Sequence, residues 1–143
     1  MRRLILLVTL VWAGIAVYLT TQPGYNPLVQ WFNRTIARTL VGGTLGHLAL
    51  FASVTLIGYI GLRGWCNRPL ALGLAMLGAL TAGTGTEVYQ LLVDGRQATL
   101  TDLLANWLGV FMVGFALVSG MLALSVRYGF RRGRHFRSET LLR

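Results

Sequence analysis

Charged residues, acids above all, are scarce in this chain of 143 residues, which contains no lysine and only one cysteine. Only 12% of positions are charged, against about a quarter in a soluble domain, so the composition excludes an ordinary soluble protein. The single Cys66 excludes an internal disulfide and a cysteine-based zinc cluster. Two histidines and four acids do not favour a transition-metal site, and we therefore expect neither a metal nor a cofactor.

Apolar residues make up 55% of the sequence, and the mean hydropathy is +0.62. A helix that crosses the hydrocarbon needs about 20 apolar residues, because each residue rises about 1.5 Å through roughly 30 Å of bilayer. Four stretches meet this demand, at about residues 4–20, 45–62, 70–93 and 103–126. Since backbone groups at membrane depth must be paired within their own segment, the sequence predicts an all-α, polytopic membrane protein with one domain, residues 1–143. We expect four transmembrane helices in an antiparallel bundle, with a signal peptide as the alternative interpretation of the first stretch.

The thirteen basic residues are all arginine and give a net charge of +9. Four spans place both termini on one side, and ten of the arginines fall on that side against three, Arg34, Arg38 and Arg96, on the other. The excess of arginine predicts that both termini are cytoplasmic in a bacterial inner membrane. The ten are Arg2, Arg3, Arg63, Arg68, Arg127, Arg131, Arg132, Arg134, Arg137 and Arg143.

A basic tail, residues 127–143, follows the last span. Near a membrane surface each arginine is worth about 1 kcal/mol of attraction to anionic lipid headgroups. Because no nucleic-acid-binding fold accompanies the tail, we expect its partners to be the lipid bilayer or other membrane-protein subunits and not nucleic acid. The predicted headgroup or partner contacts are Arg127, Arg131, Arg132, Arg134 and Arg137.

The segment between the first two spans, residues 22–44, is too long for a simple turn. It has a helix-start signal at Asn26-Pro27 and apolar residues at helical spacing after it. This pattern predicts a short extracytoplasmic amphipathic helix lying in the membrane interface, with Trp31 as its anchor. The apolar positions are Leu28, Trp31, Phe32, Ile36 and Leu40.

A stripe of small residues runs along the third span at intervals of four: Ala71, Ala75, Ala79 and Gly83. Small side chains let helix backbones approach closely, and packing of this kind drives helix association in lipid. We expect the stripe to pack inside the bundle, with an oligomer contact as the alternative.

Polar residues of three predicted spans and one loop meet at the expected extracytoplasmic end of the bundle. Ionisable residues inside spans are costly and mark candidate sites. Two purely structural interpretations remain open: Thr99-Leu100-Thr101-Asp102 matches a helix cap, and Arg96 could neutralise a neighbouring acid. The candidate site residues are His47, Glu87, Gln90, Arg96, Asp102 and Asn106.

The order of these residues resembles the pattern of VanZ-like membrane proteins. The motifs that carry the resemblance are Thr20-Thr21-Gln22-Pro23, His47, Glu87-Val88-Tyr89-Gln90, Arg96, Asp102, Asn106 and Gly109. The resemblance covers nearly the whole chain. It implies a small cell-envelope protein from a family named for a protein that lowers susceptibility to the glycopeptide teicoplanin, most of whose members have no assigned activity.

Three functions are compatible with these patterns. In the first, the outer polar residues bind a lipid headgroup, a lipid-linked intermediate or a glycopeptide, with Arg96 as the anion contact. In the second, the chain is a non-catalytic accessory subunit of a respiratory or photosynthetic complex. In the third, it modifies a membrane lipid, with Glu87 or Asp102 as base and His47 as acid, which requires these groups within about 2.6 to 3.2 Å or one bridging water. No nucleophile or metal motif accompanies the third, and we expect it least.

Overall fold

The computed structural model describes the backbone of residues 1–22, 25–35, 40–93 and 98–140, and their side chains apart from positions 29, 32–33, 40–42 and 127–140. Within these ranges the chain is helical and contains no strand. Two compact units are formed, Met1–Val113 and Gly114–Arg143. The helices are α1 (Arg2–Thr21), α2 (Pro27–Thr35), α3 (Leu40–Leu62), α4 (Arg68–Gln90) and α5 (Leu100–Thr140).

Four of these helices are long and apolar enough to cross a membrane. The chain is thus a multi-pass membrane protein, as the sequence predicted. Each predicted span begins and ends within three residues of the corresponding candidate span in the structure. The candidate spans are Arg2–Thr21, Gly43–Leu62, Arg68–Gln90 and Leu100–Val126.

Local signals explain where two of the spans begin. Asn67 caps α4: its side chain accepts a hydrogen bond from the Leu70 amide at 2.9 Å, and a proline follows within the first turn. Thr99 caps α5, since its hydroxyl accepts the Asp102 amide at 3.0 Å. Each cap satisfies an amide that the helix itself cannot pair.

The segment after α1 contains the predicted short helix, but its extent differs from the prediction. Asn26 caps α2 by accepting the Leu28 amide at 2.9 Å. The helix ends at Thr35, and Leu40, predicted to belong to it, begins α3 instead. The error arises because the next span is apolar on all sides, so its first residue continues the apolar spacing of the short helix. Trp31 is 60% exposed, whereas Ile36 lies outside the described residues.

Helices α1 and α3 are joined by side-chain hydrogen bonds. The Thr9 hydroxyl donates to the Ile57 carbonyl at 3.2 Å, and the Trp12 indole donates to the Ser53 hydroxyl at 3.0 Å. At Gly61 the two helices are so close that an added Cβ would collide with the Thr9 hydroxyl. A glycine at this position therefore sets the separation of the two helices.

The small residues of α4 pack against α3 and α5. Ala71, Ala75, Ala79 and Gly83 are all buried within the chain, as expected for a stripe that serves internal packing. A Cβ on Gly83 would lie 3.1 Å from both the Phe51 ring and the Asn106 Cβ. Side chains of α3 and α5 thus pack directly against the backbone of α4 at Gly83.

Helix α5 lies against the backbone of α3 at Gly109. A Cβ at this position would collide with the Leu48 carbonyl oxygen and lie 3.0 Å from the Ala52 nitrogen. The contact is therefore between one helix and the backbone of another, and no side chain larger than hydrogen fits. Asn106, one turn earlier, is thereby held against the start of α3.

Candidate functional site

Five of the six predicted site residues lie in the described part of the chain, near the start of α3, the end of α4 and the start of α5. We call His47, Glu87, Gln90, Asp102 and Asn106 the polar cluster. Its centre consists of His47, Glu87 and Asn106, one from each helix. Asp102 and Gln90 extend it in two directions, toward the start of α5 and toward α1.

Asn106 connects the other two central residues. The His47 Nδ1 lies 3.0 Å from the Asn106 Oδ1, and the Asn106 Nδ2 donates to the Gly83 carbonyl at 3.3 Å and to the Glu87 Oε1 at 3.4 Å. The opposite amide orientation would place Oδ1 against two acceptors, so this one is favoured. Because Oδ1 only accepts, the His47 proton must be on Nδ1, which leaves Nε2 directed away from Asn106.

The central residues are buried to different extents. Asn106 is 0% and Glu87 is 5% exposed, while the His47 side chain is 18% exposed. The Glu87 Oε2 is buried and makes no hydrogen bond in the described ranges, although the Thr99 backbone lies near the carboxylate. A buried acceptor without a donor is unusual in a folded protein and costs stability.

Asp102 forms a separate part of the cluster through two threonines. Its Oδ1 accepts the Thr44 hydroxyl at 3.3 Å, and its Oδ2 accepts the Thr99 hydroxyl at 2.7 Å. Together with the Thr99 cap of the Asp102 amide, these contacts confirm the predicted helix-cap role. Asp102 also joins α5 to the start of α3, which the cap pattern alone did not predict.

Gln90 faces α1 and not the centre of the polar cluster. Its Nε2 donates to the Thr20 carbonyl at 2.7 Å, and both residues are buried. This hydrogen bond holds the end of α4 beside the end of α1. No contact therefore supports the prediction that Gln90 shares a function with Glu87, although both residues lie at the same end of α4.

The remaining predicted contacts lie outside the described residues. Arg96, the predicted anion contact, is one of them, and so is its neighbour Asp94. The same holds for the side chains of Arg127, Arg131, Arg132, Arg134 and Arg137. Their roles stay predictions.

The imidazole and the carboxylate of the polar cluster are close but not in direct contact. The His47 Nδ1 and the Glu87 Oε1 are 3.6 Å apart, beyond the direct range of about 2.6 to 3.2 Å that proton transfer requires. Asn106 stands between them and does not readily exchange protons. In the described ranges, no group of three or more His, Cys, Asp and Glu side chains is arranged to hold a metal ion.

Sequence reasoning missed three participants. Thr44 was available as the residue one turn before His47, and its hydroxyl is a natural partner for an acid on a neighbouring helix. Thr20 was visible in the motif at the end of the first span, but it contributes a backbone carbonyl, which no side-chain pattern identifies. Gly83 likewise contributes its carbonyl and was recognised only for its small size.

Comparison of the chain with protein-family models, with characterised proteins and with solved structures gave no match. Membership in the VanZ-like family therefore stays a prediction. Function is inferred below from the chemistry of the polar cluster.

Proposed function

We propose that this protein binds the headgroup of a membrane lipid or lipid-linked intermediate at the polar cluster, through hydroxyl or ammonium donors of that headgroup. The four spans would form an antiparallel bundle in a bacterial inner membrane, with both termini cytoplasmic and the cluster at the extracytoplasmic end. Helix α2, with Trp31 exposed, would lie along the interface beside the cluster.

The observation that carries this proposal is the buried Glu87 Oε2. In the described ranges it makes no hydrogen bond of good geometry, although the Thr99 backbone lies near the carboxylate and the neighbouring Oε1 accepts from Asn106. A donor-bearing headgroup would supply the missing partner. Leaving a buried acceptor without a partner costs about 1 to 3 kcal/mol, and recovering this corresponds to roughly 5-fold to 150-fold in affinity.

The balance of hydrogen-bonding groups supports a donor-bearing ligand. The ionisable described side chains nearest Glu87 are His47 and Asp102, so the cluster has two carboxyl groups against one imidazole. The available donors are already used: Thr44 and Thr99 bind Asp102, and Asn106 binds Gly83 and Glu87. Acceptors therefore outnumber free donors, which favours ammonium or hydroxyl groups over a bare phosphate.

Access would be through His47, the most exposed of the three central residues. Rotation of its ring away from Asn106 would open a route to Glu87 from the membrane interface. A phosphate of the same headgroup would bind Arg96, which stands between Glu87 and Asp102 in the sequence. A glycopeptide is a weaker candidate, because the central acceptors are buried and not displayed on a broad polar surface.

Lipid selectivity tests the proposal directly. The purified protein in mild detergent is mixed with equimolar phosphatidylethanolamine, phosphatidylglycerol and phosphatidylcholine of identical acyl chains, and bound lipid is counted by native mass spectrometry. The first has an ammonium with N–H donors and the second has hydroxyl donors, whereas the choline headgroup has none. We expect one or both donor-bearing lipids to be retained about 10-fold or more over phosphatidylcholine.

Two variants identify the residue responsible. Glu87→Gln keeps an acceptor for Asn106 but places an amide where Oε2 was, so selectivity between donor-bearing lipids and phosphatidylcholine should be lost. Glu139→Gln makes the same chemical change in the basic tail and should leave selectivity intact. Circular dichroism and gel filtration confirm that both variants fold. Equal binding of the three lipids by the unaltered protein would refute the proposal.

The other predicted functions have distinct signatures. An accessory subunit would purify as part of a much larger native particle. A lipid-modifying enzyme would change the mass of an added lipid during incubation. Both stay predictions, since neither is favoured by a contact in the polar cluster.

A further inference from the structure

Helices α1, α3 and α4 enclose an apolar cavity of about 220 Å³ that is partly open to the outside. The lining is made of alkyl groups, one aromatic ring and the backbone of small residues, with no charged side chain among them. The Thr9 hydroxyl is already bonded to the Ile5 and Ile57 carbonyls. Nothing in the lining therefore requires a polar occupant.

The cavity is elongated along the helices. Its lining reaches from Thr9 to Val17 on α1, from Phe51 to Leu62 on α3 and from Leu74 to Ala82 on α4. These stretches of nine to twelve residues extend about 12 to 16 Å from their first to their last Cα, at a rise of about 1.5 Å per residue. One leaflet of a bilayer contributes about half of the roughly 30 Å hydrocarbon core, so the cavity has the length of one leaflet.

Its volume suits a single hydrocarbon chain. An apolar cavity of about 150 Å³ in another protein is known to bind benzene and to exclude water. A cavity of about 220 Å³ therefore accepts a longer segment of hydrocarbon than six carbons. Left empty, a cavity of this size would forfeit packing energy, which a chain from the bilayer restores.

One end of the cavity adjoins the polar cluster. Phe51 is one helical turn from His47, and Ala82 directly precedes Gly83, whose carbonyl accepts from Asn106. On α1, Val17 is three residues before Thr20, which is bonded to Gln90. A lipid with its headgroup at the cluster would thus have a hydrocarbon chain at the mouth of the cavity.

We propose that the cavity between α1, α3 and α4 holds one hydrocarbon chain of the lipid whose headgroup occupies the polar cluster. This inference rests on the proposed function and adds the chemical class of the ligand's tail. The chain enters sideways past Gly78 and Leu74, which line the cavity and are exposed at the surface of α4. A hydrocarbon chain gains little free energy by moving from the bilayer into the cavity, because both surroundings are apolar. Selectivity therefore depends on how well one unbranched or isoprenoid chain fits the cavity.

A photoreactive lipid tests the tail site. Phosphatidylethanolamine with a diazirine in the middle of one acyl chain is added to the purified protein, irradiated, and the crosslinked peptides are identified by mass spectrometry. We expect crosslinks in the lining stretches of α1, α3 and α4. Crosslinks spread evenly over the exposed faces of the spans would overturn the inference.

Filling the cavity provides the decisive variant. A Cβ on Gly78 meets nothing within 4 Å, so Gly78→Leu projects into the open space and should abolish crosslinks to the lining. Gly73→Leu makes the same change on the same helix, also with nothing within 4 Å, but does not line the cavity. It should leave the crosslinks unchanged. Gly78→Ala, the smaller substitution, should cause a partial loss and replaces the leucine variant if that variant does not fold.

Headgroup selectivity, measured on the same samples, separates the two proposals. If the protein retains donor-bearing lipids over phosphatidylcholine while Gly78→Leu leaves the crosslinks unchanged, only the tail site is refuted. If the unaltered protein shows no headgroup selectivity, the proposed function fails. Crosslinks that vanish in Gly78→Leu but persist in Gly73→Leu support the tail site.

Discussion

Replacing Gly109 with alanine should destabilise the protein, even though alanine is the better helix former. The added Cβ would collide with the Leu48 carbonyl oxygen and crowd the Leu48 carbon at 3.2 Å and the Ala52 nitrogen at 3.0 Å. These are backbone atoms of α3, so no side-chain rotation relieves the contact. The two helices must separate locally, and the Asn106 contact with His47, at 3.0 Å, lies one turn from the point of separation.

Three contributions set the magnitude. Forcing a methyl group into a packed contact costs about 1 to 3 kcal/mol. Lengthening the His47–Asn106 hydrogen bond removes about 0.5 to 1.5 kcal/mol of stability. Alanine in place of glycine returns about 1 kcal/mol through helix propensity. The expected net loss in the free energy of unfolding is about 0.5 to 3.5 kcal/mol.

Unfolding in increasing mole fractions of sodium dodecyl sulfate, followed by tryptophan fluorescence, measures this loss. Gly120→Ala is the matched control, since it makes the same change on α5 where an added Cβ meets nothing within 4 Å. It should be neutral or slightly stabilising. Gly83→Ala should fall between the two, because its neighbours are side-chain atoms at 3.1 Å. If Gly109→Ala is as stable as Gly120→Ala, the argument for backbone contact between α3 and α5 is wrong.

Three further predictions concern other helix contacts and the orientation of the chain. Gln90→Leu removes the hydrogen bond to the Thr20 carbonyl and should lower the free energy of unfolding by about 0.6 to 1.7 kcal/mol in the same assay. An unchanged stability would show instead that packing alone holds α1. Gly61→Ala should lower the free energy of unfolding less when it is combined with Thr9→Ala, because the second change removes the hydroxyl that the new methyl would strike. We expect a coupling energy of at least about 0.5 kcal/mol between the two changes, and strictly additive effects would contradict the prediction. Cys66, the single and partly exposed cysteine, should react with a membrane-impermeant maleimide in inverted vesicles but not in intact cells, and the opposite pattern would reverse the predicted topology.

Much of the fold could be predicted from the sequence because the membrane imposes a strict length and an apolar composition on each span. The four spans were found to within three residues at every end. The least accurate boundary after α1 is at Leu40, the first residue of α3. Because α3 is apolar on all sides, its first residue fits the apolar spacing of the short helix, and periodicity alone cannot assign it to one helix or the other.

The sequence could predict which helix ends carry the candidate site, but not which side chains contact one another there. Topology alone placed His47, Glu87 and Asn106 at one level, and the structure brings them together. That Gln90 would turn toward α1 depends on helix rotation, which the sequence did not determine for a helix with small residues around much of its surface. Backbone acceptors such as the Gly83 and Thr20 carbonyls have no side-chain signature at all.

The position of Asn106 in the last span has a consequence for how the protein is made. Glu87 and His47 leave the ribosome before Asn106 does, and nineteen residues separate Glu87 from Asn106 in the chain. At about 5 to 20 residues per second, the nascent protein spends roughly one to four seconds with the acid and the imidazole facing each other without the amide between them. The hydrogen bonds that join α3, α4 and α5 at this level therefore form only after most of the chain has been made.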